Sequence, residues 1–151
     1  MIQRKQSLFL FIAIILNFIC LIFPIGIFIP KGVGVNSIMY NLWIQDGAGT
    51  VSFSSAPLFV SLLANILVSL VTIFLYKNRR LQIKLCSWNL FILIVWYLAY
   101  VIMCLLFKGQ YDGFELKYPV VFPMISLILT SMARSAIRKD EALVRAADRI
   151  R

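Results

Sequence analysis

Phe74 to Phe107 reads FLYKNRRLQIKLCSWNLFILIVWYLAYVIMCLLF, and the contrast between its two parts decides the fold. Lys77, Arg79, Arg80 and Lys84 crowd the first part, while Leu85 to Phe107 carries no charge at all. A helix needs about 20 predominantly apolar residues to cross a hydrocarbon core of ~30 Å, so the second part is long enough to span one. Three more uncharged stretches lie along the chain: Gln6 to Pro30, Gly47 to Tyr76 and Tyr118 to Ala133. If each crosses once, the N-terminus, the loop at 77–84 and the tail after Arg134 share one side. That side holds twelve of the 15 Lys/Arg and half of the six acids, and so the whole net charge of +9. The other side sets Lys31, Lys108 and Lys117 against Asp46, Asp112 and Glu115. Loops rich in Lys and Arg stay cytoplasmic during insertion, which predicts that both termini are inside.

Composition agrees. The chain is 62% hydrophobic and 14% charged, where a soluble domain is typically about half apolar and about a quarter charged. A pI near 9.8 would suggest a nucleic-acid partner in a soluble protein. Here the positive-inside rule already accounts for the basic excess, and no nucleic-acid partner is expected. Cys20, Cys86 and Cys104 lie in or at the edge of apolar spans, form no C-x-x-C pair and read as small apolar side chains. Histidine, the commonest metal ligand and general base, is missing from the sequence. Nucleophile–base pairs, glycine-rich phosphate loops and paired carboxylates are missing too, so neither catalysis nor a cofactor or metal is expected. Arg4-Lys5 before an apolar run resembles a signal peptide, but the run is too long for one and no small-x-small cleavage site follows.

The layout that follows is an all-α, four-transmembrane-helix bundle, N-in/C-in, with spans at about 7–29, 57–76, 85–107 and 118–134. Pro24 lies in the outer third of span 1, where it bends the helix. The outer loop 30–56 mixes glycines with the amphiphilic run Ile38 to Trp43. Either a short hairpin or an interfacial helix suits it, with Tyr40 and Trp43 at headgroup level. A second outer loop covers 108–117. Ser55 is an N-cap candidate for span 2, with Pro57 in its first turn. No glycine or proline follows Met124, so the fourth helix is expected to continue into the cytoplasmic tail 135–151. There, Ala133, Ala136, Ile137, Leu143, Val144, Ala147 and Ile150 form one weak apolar stripe that Asp140 interrupts. Glu141–Arg145 and Arg145–Asp148 have ion-pair spacing. Such a helix can lie against the inner leaflet or dock another protein.

Two kinds of candidate site emerge. Arg79, Arg80, Lys84, Arg138, Lys139, Asp140, Glu141, Arg145, Asp148 and Arg149 form a candidate cytoplasmic partner surface. Asn17 and Asn65 fall at nearly one depth when counted at 1.5 Å per residue from the inner ends of their spans. An unpaired amide in hydrocarbon is costly, so the two are expected to face each other or a shared partner. Interhelical bonding explains them without further function, and a polar ligand or ion site is the alternative. Asn89 reads as shallow enough to reach headgroups.

The opening MIQRKQS, the span 2 exit FLYKNRRLQIKLC (Phe74 to Cys86) and the ending ARSAIRKDEALVRAADRIR (Ala133 to Arg151) resemble one family. It is an uncharacterised bacterial membrane family called domain of unknown function 4293, typical of Bacteroidetes. The resemblance implies a four-helix inner-membrane protein and brings no established activity. The expectation is an accessory or scaffold subunit that contacts membrane lipids and meets a protein partner, or a second copy, on its cytoplasmic side. A small channel or transporter using Asn17 and Asn65 is the other reading.

Overall fold

The computed structural model describes residues 3–32, 34–76, 78–107 and 111–149, without the side chains of residues 3–5, 145 and 147–149. Four helices carry the fold: α1 (Gln3–Ile22), α2 (Ala56–Phe74), α3 (Arg79–Phe107) and α4 (Val121–Arg149). α1 and α2 both pack on α4 or its neighbours, with α1 against α4 and α2, and α3 against α2 and α4. Among the described residues three helical segments, Phe53–Phe74, Arg79–Phe107 and Tyr118–Val144, are long and apolar enough to cross a membrane, while the apolar part of α1, Gln6–Ile22, is shorter.

An all-α architecture does not hold. Five strands, β1 (Gly26–Pro30), β2 (Ser37–Met39), β3 (Ile44–Gln45), β4 (Val51–Ser52) and β5 (Tyr111–Leu116), form one antiparallel sheet in the order β4-β3-β2-β1-β5. The stretch 30–56 is thus a meander, and the stretch between α3 and α4 supplies the fifth strand. β1 lies between β2 and β5, with Phe28 opposite Ser37 on one side and Phe114 on the other. The hairpin from β3 to β4 turns at Asp46, whose carboxylate Oδ1 accepts from the Gly47 amide at 2.9 Å. Gly49 takes a φ of +83°, a left-handed conformation that suits glycine.

The first helix also ends earlier than its hydropathy suggests. α1 stops at Ile22, and residues Gly26–Pro30 of the apolar run are β1. Proline has no amide proton and its ring crowds the carbonyl four residues back. Pro24 therefore lies beyond the helix end as its stop and does not bend a longer span. Ser55 occupies the N-cap of α2, yet its hydroxyl makes no capping bond and is buried without a partner among the described residues. Pro57 falls in the first turn of that helix, where a missing amide proton is harmless. α4 runs unbroken to Arg149.

Packing between sheet and bundle is largely aromatic. Phe28, buried, has Tyr111 at 4.9 Å, Phe114 at 4.8 Å and Phe107 at 5.5 Å between ring centroids. Trp96 and Tyr100, one turn apart on α3, stack at 5.5 Å with planes 4° apart, and Tyr100 donates to the Ile25 carbonyl at 2.9 Å. Gly26 is small of necessity, because a Cβ there would enter the Phe114 ring.

Candidate functional site

The bundle turns large apolar side chains outward and buries polar ones among its apolar core. Leu8, Phe11, Phe18, Leu67, Phe91 and Leu98 are among the large apolar side chains facing outward. Asn17, Asn65, Ser69, Thr72, Asn89, Ser126 and Thr130 are all buried. In water the apolar surface would far exceed the patches of a few hundred Å² that soluble monomers expose. In lipid the same surface is solvated, and polar side chains inside hold helices together.

Five of them, Asn17, Asn65, Ser69, Asn89 and Ser126, make one network joining all four helices. Asn17 Nδ2 on α1 donates to Asn65 Oδ1 on α2 at 2.7 Å and to Ser126 Oγ on α4 at 2.9 Å. Asn65 Nδ2 donates to the Asn89 carbonyl on α3 at 3.0 Å, and Asn89 Nδ2 returns to Ser69 Oγ on α2 at 2.6 Å. The two amides singled out by depth thus meet directly. Asn89 does not reach outward as its position suggested, because it faces α2 and is fully buried. The Oδ1 atoms of Asn17 and Asn89 are buried and accept no bond among the described residues.

At the basic end, Asp140 holds three helices. Its carboxylate Oδ2 accepts from Gln6 Nε2 of α1 at 2.7 Å, and its backbone carbonyl accepts from Arg79 of α3 at 3.0 Å. Asp140 is 8% exposed, so this member of the expected partner surface is internal. It does not interrupt the buried face of α4; it continues it, at helical spacing after Ser126, Thr130, Ala133 and Ile137. Glu141 pairs with Arg80 at 3.3 Å, an ion pair across helices that the local Glu141–Arg145 spacing did not suggest. Arg79 and Arg80 begin α3, where positive charge is unfavourable to the helix dipole, and both reach sideways to α4. Gln82 Nε2 donates to the Thr72 carbonyl at 2.8 Å, closing the last turn of α2. Lys84, Arg138 and Lys139 are exposed. The side chains of Arg145, Asp148 and Arg149 lie outside the described residues. Past Asp140 the described part of the apolar stripe is uncovered, with Leu143 64% and Val144 45% exposed, and the side chains of Ala147 and Ile150 lie outside the described residues.

The sheet end contains a third polar cluster, which sequence reading missed. Asn41, in the turn between β2 and β3, is fully buried. It donates to the Cys20 carbonyl at 2.6 Å and accepts from Trp96 Nε1 at 3.1 Å. Nearby, Ser37 Oγ donates to Asp46 Oδ1 at 2.6 Å. Tyr40 and Trp43 close the same turn, with the Tyr40 amide bonded to the Trp43 carbonyl at 2.8 Å.

Helices apolar on their outer faces, a buried polar network and a sheet folded over one end define the class: a helical membrane protein with a small β cap. The chain belongs to the family described as Domain of unknown function (DUF4293), whose model matches residues 2–150, the family that the three sequence blocks resemble. No curated protein matches it.

Proposed function

We propose that this chain is a small bacterial inner-membrane protein that crosses the bilayer four times, with both termini in the cytoplasm. In this reading it acts as an accessory or scaffold subunit whose basic end engages a protein partner, without catalytic chemistry of its own. α1 is the fourth crossing. At 20 residues it reaches ~30 Å, the thickness of a hydrocarbon core, despite its short apolar part.

The observation that carries the reading is the uncovered pair Leu143 and Val144. They continue the face of α4 that the bundle buries as far as Asp140, then project beyond the ties that Asp140 and Glu141 make to α1 and α3. Exposed Arg138 and Lys139 flank them. An apolar stripe with basic neighbours on a projecting helix is the form in which helices dock into a partner's groove. Conduction through the amides has less support, since they bond one another inside the bundle and the sheet folds over one end.

Crosslinking and affinity capture from native membranes test this. The comparison is between the full chain and a Leu143→Glu/Val144→Glu variant, which leaves Asp140 and its partners intact. Loss of a specific protein from the variant is expected. Recovery of the same proteins with both chains would refute the proposal.

A further inference from the structure

The outer surface carries a groove between α2 and α3 of about 700 Å³, which continues toward the basic end as a second hollow of about 390 Å³. Trp88 and Phe91 line both, so the two form one channel along the surface. The α3 wall is the stripe Lys84, Trp88, Phe91, Val95, spaced to lie on one helix face. Trp88 and Phe91 pack edge to face at 6.0 Å and stay 61% and 57% exposed. Ser61 and Ala64 form the opposite, low wall on α2. The Ser61 hydroxyl donates to the Leu58 carbonyl of its own helix at 2.9 Å, so it makes no polar demand on an occupant.

We infer that this groove seats one acyl chain of a negatively charged phospholipid, with the headgroup phosphate at Lys84. Three features select that occupant. The groove is apolar along its length and opens to the surface where lipid lies. Its α3 wall rises about 16 Å from Lys84 to Val95 at 1.5 Å per residue, the acyl depth of one leaflet of a ~30 Å core. Lys84, the only charged lining residue among the described residues, stands at one end. Lys84 has no acidic partner among the described residues, whereas the neighbouring Arg80 is held by Glu141. Trp88, one turn further along, lines both hollows and joins them. The inference requires only that α2 and α3 lie in the bilayer, whichever end faces the cytoplasm.

Native mass spectrometry of the full chain, released from nanodiscs of equal phosphatidylglycerol and phosphatidylcholine, tests it. One phospholipid is expected to stay bound, with phosphatidylglycerol favoured about fivefold, the contribution of one lysine near an anionic surface. Lys84→Gln, an exposed and structurally mild change, is expected to bring the ratio to about one while lipid stays bound. Ala64→Phe fills the groove and is expected to remove bound lipid of both kinds. Absence of bound lipid from the unaltered chain overturns the inference, as does a preference indifferent to Lys84→Gln. Undiminished lipid on Ala64→Phe would place the lipid elsewhere and overturn it too. Efficient dimer crosslinking of a Ser61→Cys variant would assign the groove to a second copy.

Discussion

Asn41 Nδ2 donates to the Cys20 carbonyl, the carbonyl that Pro24, four residues on and without an amide proton, leaves unpaired. The same side chain accepts from Trp96 Nε1. One amide in the sheet therefore finishes α1 and ties it to α3. Replacing it with leucine strands a buried carbonyl and a buried indole N–H, each carrying a penalty of about 1–3 kcal/mol. Asn41→Leu is expected to lower unfolding stability in detergent by about 2 kcal/mol or more, read from tryptophan fluorescence. Asn41→Asp retains the acceptor for Trp96 but loses the donor, and should still be destabilised. An unchanged unfolding midpoint in both would show that the cap contributes nothing.

The amide belt makes a second prediction. Asn17→Leu and Asn65→Leu remove opposite ends of the same 2.7 Å bond, so their effects should not add. A double-mutant cycle is expected to give a coupling of about 0.6–1.7 kcal/mol, the range for hydrogen bonds between membrane helices. Neither variant should alter ion flux in liposomes. Strict additivity, or a flux that responds to either change, contradicts the structural role.

Gly26 offers a test of the sheet. Its Cβ position is occupied by the Phe114 ring of β5. Gly26→Val should destabilise by about 1–3 kcal/mol, the usual range for overpacking a filled site. Trimming the obstacle with Phe114→Ala in the same chain is expected to recover part of the loss. A double variant worse than the sum of its parts would mean that β1 and β5 do not meet in this register.

Asp140 and Glu141 are adjacent, yet the structure gives them unlike roles. Asp140→Ala removes the buried bond to Gln6 and should speed amide exchange in the tail and at the start of α1. Glu141→Ala breaks a pair in which Arg80 is 78% exposed, and exposed pairs contribute about 1 kcal/mol or less. Similar exchange profiles for the two variants would contradict the distinction.

The sequence made the helices legible because hydropathy is a local signal, and Leu85 to Phe107 needs no tertiary context to be read. Counting residues from the basic ends was enough to set Asn17 beside Asn65, since helical rise is uniform. The sheet was hidden for the opposite reason. β1 is as apolar as the span before it, and its partner β5 lies beyond two intervening helices, so no local pattern pairs them. Pro24 was the available signal, and its effect depends on whether anything takes the Cys20 carbonyl. Asp140 misled because a carboxylate within an apolar stripe looks like an interruption until Gln6 is seen to face it. Asn41 carried no signal of its own in a polar-leaning loop.

The sheet order also sets a schedule for biogenesis. β1 leaves its second edge unpaired until Tyr111–Leu116 has been made and delivered to the same side as Gly26–Pro30. At 5–20 residues per second, synthesis of the intervening chain occupies roughly 4–17 seconds. During that interval a short apolar strand with open hydrogen-bonding groups is available to any other extended segment nearby. Completion of the cap is thus a late event that reports that α2 and α3 have both been inserted.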